Sequence, residues 1–591
     1  MDAIRKTVRP VVINEFVDAL FKIWSPSNFL SGQNPVTLGL AISGGVDSMA
    51  LAALCSRMIR YQRDINASIP NISLQAFIVD HQARLGSKLE AENVAKVLEK
   101  SGIRTQVLTL DWREIRQPSE LANFETLARK YRFRALGLAC KNHNIESLLL
   151  AHHEDDQTET VLMRLIAGHR GLGLTGIKPS SGIPECYGIH GVYESGAIDS
   201  QLRDSKSPDG SLDNNLVLYK NYPELEARKL FNLEDGGIRV YRPLLGFSKA
   251  RLIATAQAED MPWFEDITNN DPTITRRNAI RHLYKSYNLP AALRKPALLA
   301  MSIRIESEQA ALHDTAKCWL SQCKIMGFEW RTGTLRIRFL RDLEQLRLPS
   351  DLSAAMPLRK AQAVALLLLR QVITLVTPDE HVHLSSLHGT VERIFPELFP
   401  GSKQTPYRAS FTVAGVQFQP FSPKTKKQLS VDHEMASSTL LQNIGWFLSR
   451  QQYSSNLNKR PVIEIPPSNI SSQQHPWSPW VLYDGRYWIR ILSRYSVPLR
   501  IQPFRKEDLQ GFKQSLSKDD RKSLEKMLKE FAPGNIRWTL PAVVALHADG
   551  SEKVLCLPTL DFSTPEPDLE WQVRYKKVDM DDLKLDKRLS V

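Results

Sequence analysis

The chain has 591 residues, a formal net charge of +13 and a sequence pI of about 9.3. Its length exceeds what one hydrophobic core holds, so we expect roughly two to four domains. Its six cysteines are too sparse for a disulfide framework, and without a Cys-x-x-Cys pair they argue against a zinc ribbon. The positive charge fits a nucleic-acid partner, and it equally fits a basic soluble protein.

The sequence gives no sign of a membrane span or a secretory signal. Its most apolar run, 363–376, carries Arg370 at the centre and is short for a membrane helix, so we expect a buried helix there. The N-terminus mixes Arg5, Lys6 and Arg9 with acidic residues, which makes a poor transit peptide.

The first half of the chain alternates between short apolar runs and segments with helical spacing. Apolar runs that lack polar alternation and are separated by helices predict a parallel sheet covered on both faces. Ligands bind such sheets beyond the carboxyl ends of the strands. The runs are 36–42, 72–79, 105–110 and 147–151, and the helical segments are 46–61, 87–100 and 123–141.

The remaining segments suggest three domains in all. Residues 1–290 form the predicted α/β domain, interrupted at about 181–237 by a segment rich in Gly, Ser, Asp and Asn that we interpret as a surface insertion. We predict a mainly helical middle region over 291–430 and a smaller α+β domain over 431–591. In the last domain, Asp484-Gly485 between apolar–aromatic arms predicts a hairpin.

One short motif, Ser43-Gly44-Gly45-Val46-Asp47-Ser48, follows the first predicted strand and precedes a helix. Its glycines let the backbone approach an anion, and the helix start favours negative charge. A carboxylate beside a phosphate needs a cation such as Mg²⁺ between them, so Asp47 indicates a nucleotide bound with metal. The alternative is a structural Gly-Gly turn capped by Asp47.

Polar residues also follow the later strands. His81 ends the second strand, and Glu125, Arg129 and Arg132 share one face of a helix, which would also suit a solvated salt-bridged face. The fourth strand runs into "AHHEDDQTET" (151–160), where a favourable acidic helix start explains one or two carboxylates but not the whole cluster. Further on, "TRRNAIR" (275–281) supplies groups for phosphate or an RNA backbone, or a plain basic helix face.

Order and content together resemble the tRNA(Ile)-lysidine synthetase family of PP-loop ATP pyrophosphatases. The matching motifs are SGGVDS, VDH, NFETLARKYRF, HHEDDQTET, a Gly-rich loop ending GLTGI, RPLL and a late TRRNAIR, which together cover about 36–285. Two departures stand out. Ala167 lies where the family usually has Arg, and the insertion at 181–237 is unusually long.

This resemblance implies a PP-loop α/β catalytic domain that uses ATP and Mg²⁺. It implies ligation of L-lysine to the wobble cytidine of an isoleucine tRNA with a CAU anticodon, through an adenylated base, and tRNA contacts in the middle and C-terminal regions. The residues carried over fall into four groups. They are Asp47, Asp155, Asp156, Glu159 and Arg277 for catalysis; Ser43, Gly44, Gly45, Val46, Asp47, Ser48 and His81 for the nucleotide; Glu125, Arg129, His153, Asn278 and Arg281 for the substrates; and Asp47 and Asp155 for the metal.

Three alternatives stay open at this stage. A PP-loop tRNA thiolase normally needs paired cysteines, an amidating relative needs a glutaminase segment, and a non-catalytic tRNA-binding protein would not need its carboxylates. We predict no membrane partner and leave a homodimer open. The long insertion suggests a eukaryotic chain, which would place the protein in the mitochondrial matrix; otherwise we expect the cytoplasm.

Overall fold

We describe a computed structural model of the chain. It describes residues 8–25, 36–64, 71–82, 86–112, 123–197, 232–264, 275–339, 356–400, 409–421, 444–467, 477–565 and 568–579. The chain divides into two compact units. The first comprises Met1–Tyr187, Gly191–Gly196 and Gly236–Gln309, and the second comprises Gly188–His190, Ala197–Asp235 and Ala310–Val591.

The first unit contains a six-stranded sheet in the order β3-β2-β1-β4-β6-β5. All neighbours pair in parallel except β5, which is antiparallel to β6 at the edge. The predicted parallel α/β fold is therefore confirmed, with one antiparallel edge strand added. The strands are β1 (Val36–Ile42), β2 (Ile72–Asp80), β3 (Arg104–Thr109), β4 (Ser147–Leu149), β5 (Ser180–Gly182) and β6 (Arg239–Tyr241).

Helices connect these strands and bury apolar stripes against them. In α3, Ala91, Val94 and Leu98 are buried at three- and four-residue spacing, which is the stripe of an amphipathic helix. The helices that begin in this unit are α1 (Ile13–Ile23), α2 (Val46–Asp64), α3 (Ser87–Lys100), α4 (Phe124–Asn142), α5 (Glu154–Ile166), α6 (Lys249–Ala258), α7 (Arg276–Ser286) and α8 (Lys295–Gln322).

The strand order places a topological switch point between β1 and β4. The chain leaves β1 toward β2 and β3 on one side, and β4 then pairs with the other side of β1, as in Leu40↔Ala76 and Leu40↔Leu149. Connections from neighbouring strands diverge at such a point and leave a crevice at the carboxyl ends. The turn after β1 and the turn after β4 therefore face the same crevice.

The second unit consists of antiparallel sheets and helices. Its sheets have the orders β7-β8-β11-β10-β9, β12-β15-β16-β17-β18 and β13-β14-β19. The strands are β7 (Lys324–Glu329), β8 (Thr334–Arg338), β9 (Phe411–Val413), β10 (Val416–Phe421), β11 (Gly445–Arg450), β12 (Ile463–Ile465), β13 (Val481–Tyr483), β14 (Tyr487–Ser493), β15 (Leu499–Pro503), β16 (Pro541–Leu546), β17 (Glu552–Leu557), β18 (Phe562–Ser563) and β19 (Leu569–Tyr575). Its own helices are α9 (Leu358–Thr374), α10 (His388–Ile394), α11 (Asp508–Gln514) and α12 (Lys518–Glu530).

Two sequence expectations in this half have clear outcomes. The predicted hairpin is present, because Asp484 and Gly485 both have positive φ in the turn between β13 and β14. The middle region is less helical than expected, since β7 and β8 form a hairpin between α8 and α9.

The apolar run at 363–376 lies largely in α9, whose side chains are mostly buried. In the described residues, no helix is long and apolar enough to cross a membrane.

The segment interpreted as a surface insertion is described only at its two ends, and 198–231 lies outside the described residues. The described ends are well packed: Cys186, Val192 and Ser195 are buried on one side, and Leu233 and Glu234 on the other. These ends are therefore parts of the folded units and not surface loop. The predicted domain boundaries at 290 and 430 stay a prediction.

Candidate functional site

The turn between β1 and α2 has the conformation that its glycines predict. Gly44 has φ +84, and a Cβ atom there would lie 2.7 Å from Val94 Cγ2, so only glycine fits without a shift of its neighbour. The Ser43 N–H donates to Ser48 Oγ at 3.2 Å, and the Ser48 hydroxyl donates to the Gly45 carbonyl at 2.9 Å. The turn is thus held in place by its own hydroxyl groups at the start of a helix, where the dipole favours an anion.

Asp47 lies in the first turn of α2 and faces the start of α5. Its Oδ2 is 3.4 Å from His153 Nε2 and 3.6 Å from Lys249 Nζ. Desolvation raises the pKa of Asp47, but the hydrogen bond with His153 and the charges of His153 and Lys249 outweigh it, so the pKa is lowered. Asp47 Oδ1 is buried without a hydrogen-bond partner. One ionised oxygen of Asp47 is therefore left for a ligand.

His153 is the side chain that joins the two turns. It is 2% exposed, it caps α5, and its ring nitrogens lie 3.4–3.6 Å from carboxylate oxygens of Asp47, Asp155 and Asp156. Burial lowers the pKa of His153, but its hydrogen bonds with Asp155 and Asp47 and the charge of Asp156 outweigh it and raise the pKa to about 9. The nucleotide turn after β1 and the acidic turn after β4 therefore form one electrostatic cluster.

Asp155 accepts hydrogen bonds from two lysine residues that the sequence analysis did not single out. Its Oδ1 is 2.8 Å from Lys295 Nζ, and its Oδ2 accepts the Lys249 N–H at 2.9 Å. Desolvation raises the pKa of Asp155, but hydrogen bonds from His153, Lys295 and Lys249 lower it well below its usual range. Both oxygens of Asp155 thus have partners in the described residues, and its role as a metal ligand stays a prediction.

Asp156 and Glu159 share the buried face of α5, as their spacing predicts. Glu159 Oε1 accepts a hydrogen bond from Arg281 Nε at 2.7 Å, and its Oε2 is 3.2 Å from Arg277 Nε. Asp156 Oδ2 accepts the backbone N–H of His153 at 3.1 Å, and Asp156 Oδ1 lies 3.6 Å from Arg281 Nη2. Burial raises the pKa of Glu159, and Arg281 only partly opposes this. Helices α5 and α7 therefore meet through two arginines and two carboxylates.

The other predicted residues surround this cluster less closely. Asn278 is buried in the first turn of α7, where its N–H donates to Thr275 Oγ1 at 3.0 Å. Glu125 is exposed at the start of α4, and Arg129 pairs with Glu185 at 3.4 Å. The structure does not bring Glu125 and Arg129 into contact with the carboxylates of α5.

A second group of cationic and imidazole side chains lies at the same edge of the sheet. Burial lowers the pKa of His81 to about 4, with Arg132 adding to the effect, and it lowers the pKa of His152 to about 4 as well. Their Nδ1 atoms are buried without hydrogen-bond partners. Burial, together with Arg129 and Arg277, lowers the pKa of Arg132 to about 10. Neutral imidazoles next to arginine suit an anionic or polar substrate group.

The Gly-rich loop after α5 is fixed by side chains of that helix. Arg164 donates to the carbonyls of Gly173 and Gly176 at 3.2 and 2.9 Å, and Gln157 Oε1 accepts the Ile177 N–H at 2.6 Å. Ala167 ends the helix, and the loop then turns at Gly168, which has φ +80. The following His169 and Arg170 are exposed, so these side chains can supply the positive charge that Ala167 lacks.

The two predicted magnesium ligands, Asp47 and Asp155, differ in how their carboxylate oxygens are engaged. Among the described residues, no group of three or more His, Cys, Asp or Glu side chains is placed to hold a metal ion. Mg²⁺ is usually held by one or two carboxylates together with substrate phosphates and water, so a single free carboxylate oxygen suffices on the protein side. Asp47 offers that oxygen, and Asp155 as a second metal ligand stays a prediction.

The comparisons with known proteins agree with this geometry. A PP-loop domain model matches residues 20–190 and 228–286. A probable tRNA(Ile)-lysidine synthase of Schizosaccharomyces pombe is 28% identical over 529 residues, covering 89% of this chain and 91% of that protein. A tRNA(Ile)-lysidine synthase of Bradyrhizobium is 32% identical over 239 residues, which is 40% of this chain and 49% of that protein.

Another tRNA(Ile)-lysidine synthase, from Wolbachia pipientis, is 28% identical over 47% of this chain and 50% of its own length, so the chain spans about half of these two bacterial relatives. A solved structure, the U34-tRNA thiolase NcsA from Methanococcus maripaludis, is 15% identical with a TM-score of 0.30, covering 50% of this chain and 80% of that one. The chain is thus similar to PP-loop domains over residues 20–190 and 228–286, and the resemblance to tRNA(Ile)-lysidine synthases predicted from its motifs is confirmed by the sequence comparisons.

Proposed function

We propose that this protein uses ATP to ligate L-lysine to C2 of the wobble cytidine in an isoleucine tRNA with a CAU anticodon, forming lysidine. One observation carries the proposal: the phosphate-binding turn after β1 and the acidic turn after β4 meet at His153, between Asp47 and Asp156. A site with these two halves suits a reaction in which ATP activates one substrate and an amine attacks it. The names of the tRNA(Ile)-lysidine synthases to which the chain is similar indicate tRNA(Ile) as one substrate and lysine as the amine.

In the first step, the cytidine O2 attacks the α-phosphorus of ATP. The bond from that phosphorus to the oxygen bridging to the β-phosphorus breaks, and pyrophosphate leaves with the electron pair. The Ser43 and Ser48 hydroxyls and the backbone around Gly44 hold the departing phosphates. Asp47 would hold Mg²⁺, which supplies positive charge to the phosphate oxygens when bound.

In the second step, the lysine ε-amine attacks C2, the C2–O2 bond breaks, and AMP leaves. The amine is charged at neutral pH, so it must lose a proton to attack. Glu159 is suited to take that proton, because burial raises the pKa of its carboxyl and so makes it a stronger base. Asp156, three residues earlier on the same face, holds the ammonium group in this proposal.

The arginines of α7 serve the tRNA side of the reaction. Arg277 and Arg281 already neutralise Glu159, and Arg277 is 37% exposed, so it can reach an incoming phosphate. The target base must leave its stack to reach a buried carboxylate cluster, as in other base-modifying enzymes. The net charge of +13 favours such a polyanionic substrate. A homodimer, the compartment and tRNA contacts of the second unit stay predictions.

The chemistry of the cysteines argues against the thiolase alternative. All six cysteines are free thiols in the described residues. Burial raises the pKa of Cys140 and Cys186 to about 12, so neither is a thiolate at neutral pH. Sulfur transfer needs a reactive thiolate or a cluster ligand, and these two side chains offer neither.

The proposal is tested by incubating the protein with ATP, Mg²⁺, radiolabelled lysine and an unmodified CAU isoleucine tRNA transcript. We expect label in the tRNA with the wild type and its loss in the Asp47→Ala variant. A transcript with U at the wobble position is the substrate control. Binding of tRNA without ATP–pyrophosphate exchange would instead identify a non-catalytic tRNA-binding protein and contradict the proposal.

A further inference from the structure

We infer that Lys249 is a pyrophosphate-binding residue of the ATP-cleaving step, a role that rests on the function proposed above. Lys249 is the first residue of α6, far in sequence from the phosphate-binding turn. Its ammonium group nevertheless lies 3.6 Å from Asp47 Oδ2, beside the turn that we propose to hold the departing phosphates.

Two contacts determine where Lys249 is held. Its own N–H donates to Asp155 Oδ2 at 2.9 Å, which ties the start of α6 to the start of α5. At the far end of α6, Glu259 Oε1 is 2.7 Å from Arg57 Nη1 on α2. The starts of α2 and α6 meet at Asp47 and Lys249, and their later turns meet at Arg57 and Glu259. The two helices are therefore parallel, and both amino ends lie at the crevice.

Lys249 differs from the other cations of the cluster in how strongly it is engaged. Arg281 and Lys295 each make a contact of 2.7–2.8 Å with a carboxylate and are 28–29% exposed. The Lys249 side chain is 45% exposed and its ammonium is 3.6 Å from Asp47. A half-exposed ammonium in a loose contact can move to a phosphate oxygen at little cost, whereas a less exposed cation in a short ion pair must first give up that pair.

The chemistry of the leaving group fits this position. Pyrophosphate leaves with added negative charge, and a cation that meets the developing charge lowers the barrier. Asp47 alone would repel the phosphates, and Lys249 adds positive charge beside it in addition to the Mg²⁺ that Asp47 would hold. An ammonium that pairs with Asp47 before ATP binds, and with phosphate afterwards, keeps this carboxylate neutralised in the free protein.

The inference is tested by titrating magnesium pyrophosphate into the wild type and the Lys249→Met variant in a calorimeter. Loss of one hydrogen bond to a charged group predicts a dissociation constant raised about tenfold or more. The matched control is Arg251→Met, which removes the same charge from the same helix but affects the Glu15 pair. We expect the control to bind pyrophosphate like the wild type and Lys249→Arg to retain most of the affinity.

Equal pyrophosphate affinity in Lys249→Met and the wild type would overturn the inference, and so would an equal loss in Lys249→Met and Arg251→Met. Should Lys249→Met fail to fold, Lys249→Gln replaces it. A kinetic readout separates the role from a structural one: kcat/KM for ATP should fall about 10²-fold, while KM for lysine stays unchanged. Because pyrophosphate binding needs neither tRNA nor lysine, it would still report on Lys249 if no lysidine were formed.

Discussion

Replacing Arg281 by methionine removes the main partner of a buried carboxylate. Arg281 Nε donates to Glu159 Oε1 at 2.7 Å, and the Glu159 side chain is only 7% exposed. Breaking a buried ion pair by removing one partner costs about 3–5 kcal/mol. Arg277 remains 3.2 Å from the other oxygen, so we expect the lower end of that range, about 3 kcal/mol, in the free energy of unfolding.

The same variant should show a defined pH dependence. Burial raises the pKa of Glu159 above its unfolded value, and Arg281 opposes this, so removing Arg281 raises the pKa further. A carboxyl whose folded pKa is raised contributes stability at low pH that is lost as the pH rises through the folded pKa. The loss of stability in Arg281→Met should therefore be larger at pH 8 than at pH 5.

The assay is urea denaturation of the wild type and Arg281→Met at the two pH values. Arg251→Met is the matched control, because its partner Glu15 is 44% exposed and such pairs contribute about 1 kcal/mol or less. Adding Glu159→Gln to Arg281→Met should restore part of the loss. A loss that is the same at pH 5 and pH 8, or no larger than that of the control, would refute the reasoning.

Three further predictions concern the same unit. Gly44→Ala forces a side chain into a left-handed turn and should destabilise the protein by about 2 kcal/mol and abolish ATP binding, which denaturation and calorimetry measure. In Asp47→Asn, the pKa of His153 should fall from about 9 toward its ordinary 6.5, seen in an NMR titration of the imidazole. The wild type should accordingly lose stability as the pH rises through about 9, and the variant should lose less; equal pKa values would exclude their pairing. Cys140 and Cys186 should resist iodoacetamide at pH 8 until the protein is denatured, and labelling of the folded protein would contradict their burial.

The sequence predicted those parts of the site whose residues are close together along the chain. Ser43 to Ser48 occupy a strand–turn–helix corner, and the glycines and hydroxyl groups of these six residues set its backbone. Asp156 and Glu159 are three residues apart, so any helix through them places both on one face. Apolar runs predicted the strands of the parallel sheet for the same reason, because burial on both faces leaves a local pattern.

The parts that the sequence did not predict depend on contacts between distant segments. Lys249 and Lys295 lie 94 and 140 residues from Asp155, and no local pattern marks either lysine as its partner. These two contacts tie the start of α5 to α6 and α8, and only the folded chain brings the three segments together. The β7–β8 hairpin was missed because the apolar stripes of α8 and α9 dominate that region.

The most direct test of the central claim is the identity of the nucleoside at the wobble position after the reaction. The CAU isoleucine transcript is incubated with the protein, ATP, Mg²⁺ and ¹⁵N-labelled lysine, then digested and analysed by mass spectrometry. Our account predicts lysidine carrying the label at that one position, with one AMP and one pyrophosphate released per lysine. Unmodified cytidine, or a thiolated base, in a reaction where the folded protein binds both ATP and tRNA would contradict it.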